Sequence, residues 1–294
     1  LLFHTNPPQA ATPDQPAQRI VSLAPHITEL VFAAGAGEQL VGAVAYSDYP
    51  PQARRIPRVG SYQATDLEAI LALRPDLIIA WASGNREQLL KRLDKLDLRV
   101  EVSDPSTLPE IARDLERIGR WAGTEATAEQ AATSFRRRLD QLRQAYAHRP
   151  PVRVFYQLWH RPLMTVGGDQ LITQVIRLCG GRNVFAELKP LAPKVSREAV
   201  IAARPEVIIT GTGTDSASNA AGLELWSEWS TIPAVANGQL HVIQADRLQR
   251  HTPRILDGAE RLCQLLETAR QQRGTPTRRG VGPHQSTEAL AGRR

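Results

Sequence analysis

The chain has 294 residues, 42 % of them hydrophobic, and a formal net charge of +6, enough for one large domain or two of ordinary size. No apolar run approaches the roughly 18–20 residues that a helix needs to cross a bilayer, which excludes a helical membrane span. Residues 271–294 hold five Arg and one Glu and so carry +4 of the +6; with no recognition motif beside it, that charge is a poor argument for nucleic-acid binding, and no nucleic-acid partner is expected.

The first residues, LLFHTNPPQA, read as the end of a trimmed signal peptide, although they show neither a basic start nor a complete apolar core. Residues 1–18 are expected to form a loose leader, since 5–18 is rich in Pro, Gln, Ala and Thr. RIVSLAPHITELVFAAG then reads as strand, turn and helix, with Pro25 opening the turn and Gly35 stopping the helix. QLVGAVAY is a second strand, followed by the loop SDYPP. A helix over 85–96, a strand in LRVEVSD and a helix over 108–122 continue an alternation that predicts a parallel sheet with helices on both faces. Residues 124–148 break it with a run of strong helix formers lacking Gly and Pro, a helix long enough to bridge two lobes. The pattern then restarts with VRVFYQL as strand, 171–178 as helix, QLHVIQ as strand and 253–270 as the last helix. The tail from 271 has no apolar periodicity and is expected to be disordered.

One short unit occurs twice. LEAILALRPDLIIAW at 67–81 is matched by REAVIAARPEVIITG at 197–211, offset by 130, with Glu68/Glu198, Arg74/Arg204 and Pro75/Pro205 coinciding. Each copy has a polar cap (Thr65 or Asp66, and Ser196), about two helical turns, an Arg-Pro stop, and an apolar β-branched run suited to a strand buried on both faces. The Pro is expected to push the preceding Arg towards extended backbone. Two copies too far apart for a solenoid predict two similar α/β lobes. The predicted organisation is a leader at 1–18, an N-terminal lobe at 19–122, a linker helix at 123–149, a C-terminal lobe at 150–270 and a basic tail at 271–294.

Ligand-facing residues of parallel sheets gather in loops beyond the strand ends. The candidates there are Tyr46, Tyr49, Tyr62, Trp81, the stretch 159–164 with Met164, and 246–250, with His26 and His160 as further cleft-facing candidates. Aromatics with a few polar anchors suit a large, mostly apolar ligand with polar edges. The chain has no GxSxG, HExxH, P-loop or GxGxxG motif, and VGGDQ at 166–170 lacks the Lys-Ser/Thr of a phosphate loop. No catalytic residues and no metal site are expected, and a binding module is favoured over an enzyme. Arg136, Arg137 and Arg138 read as a solvated helix face. Cys179 and Cys263 belong to no CxxC or Cys/His pattern; two buried free thiols and one bridge in an oxidising compartment stand equal on composition.

RIVSLAPHITELVFAAG, YSDYPP, DLEAILALRPDLIIAW, CGGRNVF, VSREAVIAARPEVIITG and DRLQRHTPRI together resemble the periplasmic vitamin B12 (cobalamin)-binding proteins of bacterial ABC importers, over about residues 19–268 and in the same order. The resemblance implies two Rossmann-like α/β lobes joined by one long helix. It also implies a monomer that holds cobalamin or a related corrinoid in the cleft, with no cofactor of its own. Family pattern puts ligand contacts at Tyr46 and at the loop Asp246, Arg247, Leu248, Gln249 and Arg250, by motif position Tyr62 and Trp81 also face the cleft, and Tyr49 and Met164 complete the expected ligand-binding set. The family's bridging cysteines fall on Cys179 and Cys263, which implies a disulfide and the periplasm. Its permease-docking glutamates fall on Glu68 and Glu198, so the two copies become equivalent docking corners for a two-fold symmetric ABC permease dimer.

The chain departs from the pattern at Ala192, where a Trp often precedes VSRE, at Tyr62 for the usual Trp, at Met164 for a Phe, and at Arg247, Leu248 and Gln249 for an aromatic pair. Less aromatic area reshapes the ligand contact or selects a different corrinoid. Two other readings remain on the sequence: a haem- or ferric-siderophore-binding protein of the same scaffold, with Tyr46, Tyr49 or His26 near a metal, and an α/β enzyme whose site is not recognised.

Overall fold

A computed structural model describes residues 15–61, 64–96, 98–212 and 222–273. The first sheet contains β1 (Ile20–Ser22), β2 (Leu40–Ala43), β3 (Leu77–Ala80) and β4 (Val100–Val102) in the order β2-β1-β3-β4, with every pairing parallel. Past β5 (Val152–Gln157) come the hairpin β6 (Trp159–His160) and β7 (Leu163–Met164), then β8 (Gly181–Asn183), β9 (Val207–Thr212) and β10 (Leu240–Gln244). The second sheet has the order β10-β9-β5-β8, again parallel. Read from its other edge this is β8-β5-β9-β10, the arrangement of the first sheet, so the repeat extends from a sequence motif to a whole lobe topology. The fold is α/β with two parallel four-stranded sheets.

The helices are α1 (Pro25–Ala33), α2 (Leu67–Ala72), α3 (Glu87–Asp94), α4 (Leu108–Ala122), α5 (Glu125–Tyr146), α6 (Leu171–Leu178), α7 (Arg197–Ala203), α8 (Pro233–Ala236), α9 (Asp246–Gln249) and α10 (Ile255–Arg273). The repeated unit is built alike in both lobes. Asp66 accepts a hydrogen bond from the Ala69 amide at 3.0 Å, and Ser196 accepts one from the Ala199 amide at 3.2 Å, so α2 and α7 share one cap geometry. The strands that follow alternate between the same two environments. Leu77, Ile79, Val207 and Ile209 enter a common core, whereas Ile78 and Ile208 enter separate clusters on the outer face of each sheet.

The Arg-Pro stop works differently from the expectation. Arg74 and Arg204 are left-handed, at φ +46° and +48°, not extended. An arginine from the neighbouring strand edge holds each bend: Arg19 Nε donates to the Leu73 and Arg74 carbonyls at 3.1 Å, and Arg153 Nε donates to the Arg204 carbonyl at 2.9 Å. These charge-assisted bonds offset a left-handed cost of roughly 1–2 kcal/mol for a residue with a Cβ.

Helix α5 has 22 residues, roughly 33 Å at the standard rise. It follows Gly123, whose φ of +68° closes α4 in the left-handed region that favours glycine. Its buried face, Ala128, Ala132, Phe135, Leu139 and Leu142, belongs to one continuous core with Ile20 and Ile27 at one end and Ile172 and Leu262 at the other. The bridge between lobes is therefore a packed spine and not a free rod. Arg137 is exposed, as expected of a solvated face, but Arg136 and Arg138 are half-buried in ion pairs: Arg136 grips Glu116 of α4 with both terminal nitrogens, and Arg138 reaches Asp257 and Glu260 of α10 at 2.8 Å. Periodicity places such residues outside the core, but it cannot report that two other helices present acids there. The first sheet and its helices precede this spine in the chain, and the second sheet and its helices follow it. The first fourteen residues of the expected leader and the tail from 274 lie outside the described residues.

Candidate functional site: the cleft between the lobes

The order β2-β1-β3-β4 reverses direction between β1 and β3, and its counterpart reverses between β5 and β9; in open parallel sheets ligands bind beyond the strand ends at such points. The segments leaving those ends carry His26 and Trp81 in one lobe and Trp159 in the other. Trp81 is fixed on three sides. Its amide donates to Asn85 Oδ1 at 2.7 Å, its indole Nε1 donates to Asp104 Oδ1 at 3.0 Å, and its ring meets the His26 ring edge-on at 5.0 Å. Trp159 is 57 % exposed, directly opposite Met164 in the antiparallel hairpin, with its Nε1 donating to the Arg161 carbonyl at 2.8 Å. His160 lies tilted against the Trp159 ring at 5.5 Å.

The loop after β2 presents Tyr46, 73 % exposed on a left-handed backbone at φ +65°, and Tyr49, 42 % exposed after a turn. Inside its own lobe the loop is anchored at Ser47, whose hydroxyl meets Thr28 Oγ1 at 3.0 Å and whose carbonyl accepts from Arg58 at 2.8 Å. Across the cleft, α9 and residues 250–254 lie against it. Arg250 Nη1 reaches Glu29 and Asp48, each at 2.8 Å; Arg250 Nη2 donates to the Tyr46 carbonyl at 3.2 Å; and Arg250 Nε is 3.3 Å from Asp246. Arg254 forks onto Glu29 at 2.6 and 2.9 Å and lies over the Tyr49 ring at 3.7 Å. Between these charges is a cavity of 160 Å³ lined from both lobes, by Asp48, Tyr49 and Arg54 on one side and Thr212, Gln244 and Asp246 on the other.

The electrostatics follow from this enclosure. Burial raises the Asp246 carboxyl above its usual range, with Arg250 pulling it back. Burial would lower the Arg250 guanidinium, but its hydrogen bonds to Glu29 and Asp48 outweigh that and raise it. His26 is buried beside His251, ring centroids 6.0 Å apart, and its Nε2 has no protein partner. Burial first, then the neighbouring His251, lowers its pKa to about 3, so it is neutral at the cleft base. Among the described residues no three His, Cys, Asp or Glu come together to hold a metal ion.

Of the sequence candidates, the structure brings Tyr46, Tyr49, Asp246 and Arg250 into one cluster, while Trp81 and Met164 stand at the ends of β3 and β7. Arg247 points to solvent, and Gln249 turns inward to donate to the Tyr156 hydroxyl at 3.2 Å. Leu248 requires correction: it is fully buried in the common core. Residues 246–249 form one helical turn and not an open loop, which drives its middle apolar side chain inward. Tyr62 lies outside the described residues. Sequence reasoning missed Glu29, Arg254 and His251. The signal for Glu29 was a lone acid inside the apolar run of ITELVFAA, where a carboxylate needs a partner.

Glu68 and Glu198 do not approach the cleft. Both are exposed in the first turn of their helices, two residues after the cap. The Glu198 carboxyl is held below its usual range, first by its own backbone amide and then by the Ser196 hydroxyl. Cys179 and Cys263 form a disulfide between the end of α6 and the middle of α10.

Comparison with known proteins places these features. The model of the periplasmic binding protein family matches residues 20–246. A vitamin B12-binding protein of Vibrio cholerae is 42 % identical over 258 residues, covering 87 % of this chain and 92 % of the relative. The crystal structure of a periplasmic vitamin B12 binding protein of Vibrio cholerae superposes with a TM-score of 0.81 at 42 % identity, covering 87 % of this chain and 99 % of that one. A periplasmic heme-binding protein from Roseiflexus sp. RS-1 shares the fold with a TM-score of 0.76 at 23 % identity, covering 86 % and 99 % of the two chains.

Proposed function

The chain belongs to the periplasmic binding protein family, and from that premise we propose that it captures vitamin B12 or a related corrinoid between its lobes in the periplasm and delivers it to an ABC permease. The observation that carries the ligand class is the 42 % identity over 87 % of the chain to a vitamin B12-binding protein. The fold alone does not choose between corrinoid and haem, because a heme-binding protein shares it. The protein is a transport component and not an enzyme.

The ligand lies between the two lobes, with Tyr46, Tyr49 and Trp81 on one side and Met164 on the other, and Asp246 and Arg250 supply the polar floor. Trp159 adds an aromatic face beside Met164. Delivery uses the outer corners. Glu68 and Glu198 occupy the same position in α2 and α7, and equivalent carboxylates on two like-built lobes suit equivalent basic sites on a permease dimer. The low-held Glu198 carboxyl stays charged for that purpose.

Calorimetry against a panel of corrinoids and against haemin tests the reading. Saturable one-to-one binding of at least one corrinoid, with haemin weaker, is the expected result. Tight haemin binding with no corrinoid heat would replace the ligand class.

A further inference from the structure

Glu29 is the least exposed carboxylate of the cleft cluster, with its residue 4 % exposed. It sits on α1, in the N-terminal lobe, yet its guanidinium partners belong to the other lobe. Arg250 Nη1 and Arg254 Nη2 meet Oε1 at 2.8 and 2.6 Å, and Arg254 Nε meets Oε2 at 2.9 Å. A buried carboxylate stripped of such partners is strongly unfavourable, so the arrangement is stable only while the lobes keep this spacing. The same two arginines then reach the binding loop. Arg250 holds the Tyr46 carbonyl and the Asp48 side chain, and Arg254 covers the Tyr49 ring. Segment 46–49 is anchored in its own lobe at Ser47 and by Arg54 Nε on the Asp48 carbonyl at 3.4 Å, while the Tyr46 carbonyl, the Asp48 carboxylate and the Tyr49 ring are met from across the cleft.

We propose that Glu29 is a positioning residue for ligand capture: one buried carboxylate fixes two arginines of the opposite lobe, and through them the spacing of the lobes and the pose of Tyr46 and Tyr49. Glu29 does not touch the ligand. The inference rests on the reading that a corrinoid binds between the lobes, and it assigns the preformed shape of that cleft to a cross-lobe charge cluster in addition to the spine helix. It also gives Arg250 a role through Tyr46. Its Nη1 is shared by two carboxylates, its Nη2 reaches a carbonyl and its Nε faces a third carboxylate.

Substituting Glu29→Gln keeps size and hydrogen-bonding atoms but removes the charge that draws both arginines. If the cleft then spends about nine-tenths of its time in other spacings, the apparent Kd rises about tenfold, since affinity scales with the competent fraction. Three proteins are compared by calorimetry with cobalamin: Glu29→Gln, Arg254→Gln and the double variant. About tenfold weaker binding in each, with the double no worse than the more affected single, is expected because both cut the same linkage. Distances between spin labels at the exposed positions 88 and 228 are recorded without ligand, and the distribution should broaden in all three variants.

Wild-type affinity, within about twofold, together with an unbroadened distribution would overturn the proposal, whatever happens to the melting temperature; a lowered melting temperature with unchanged affinity would make Glu29 structural only. If Glu29→Gln does not fold, Arg254→Lys serves instead, since it keeps the charge but cannot fork onto both Glu29 oxygens. The label distances use no ligand, so a wild-type protein that ignores corrinoids would sink the proposed function while still testing this inference; the affinity series would then be run with haemin.

Discussion

Breaking the bridge between Cys179 and Cys263 gives a magnitude that follows from where the two residues sit. They are 84 residues apart, and the loop between them contains β8, β9 and β10, three of the four strands of the second sheet. On the chain-entropy relation, closing a loop of 84 residues removes about 15 cal/mol/K from the unfolded ensemble, or about 4.6 kcal/mol at 25 °C. The native contact does not depend on the bond alone. Arg270 of α10 donates to the Cys179 and Gly180 carbonyls at 2.7 and 3.1 Å, and both cysteines lie in the common core. Reduction should therefore leave the folded structure in place and act on the unfolded state. For a protein of this size each kcal/mol moves the melting temperature by about 2–4 °C, so the Cys179→Ala/Cys263→Ala variant should melt roughly 9–18 °C below the oxidised protein. Calorimetric scans of both, and of wild type with and without reductant, provide the assay. Because α6 ends at the edge of the sheet away from the cleft, ligand affinity at 25 °C should be unchanged. Melting temperatures within about 2 °C of each other would show that the bridge does not restrict the unfolded chain as argued. A loss of affinity would show that it shapes the cleft.

The double reversal Glu68→Arg/Glu198→Arg should leave ligand binding intact and abolish delivery through the permease, measured as transport in reconstituted vesicles; transport at the normal rate would reduce both residues to helix-start acids. For His26 the sign is that of a base whose folded pKa, about 3, lies below the ordinary 6.5. The stability it contributes is whole above 6.5 and is lost as pH falls from there towards 3, at most about 5 kcal/mol if the full shift is expressed. A His26→Phe variant should thus show a flatter fall in urea midpoint across that window, and a fall as steep as wild type would place the acid sensitivity elsewhere. Asp246→Ala should weaken corrinoid binding in calorimetry with little change in unfolding midpoint, whereas the opposite pattern would make the pair with Arg250 structural. X-ray scattering curves with and without ligand should nearly superimpose, because α5 packs into both lobes and a charge cluster joins them; a change of several ångströms in radius of gyration would contradict a preformed cleft.

Local chemistry carried much of the architecture. The helices over 108–122 and 171–178 are where apolar periodicity put them, and the caps at Asp66 and Ser196 and the buried strands after each Arg-Pro follow from interactions a few residues long. The repeat with its offset of 130 disclosed two lobes because each copy solves the same local problem with the same residues. Tertiary structure decided the rest. The left-handed bends at Arg74 and Arg204 depend on arginines from neighbouring strands, Leu248 turns inward because one helical turn forms at 246–249, and Arg136 and Arg138 become staples because α4 and α10 bring acids to them. The cleft floor is the clearest case. Glu29 meets Arg250 and Arg254 across 221 and 225 residues of chain, and no window on the sequence contains both ends of that contact. A buried charge signals that a partner exists, but only the closing of one lobe on the other selects which arginine it is, because Coulombic attraction depends on distance in space and is indifferent to distance along the chain.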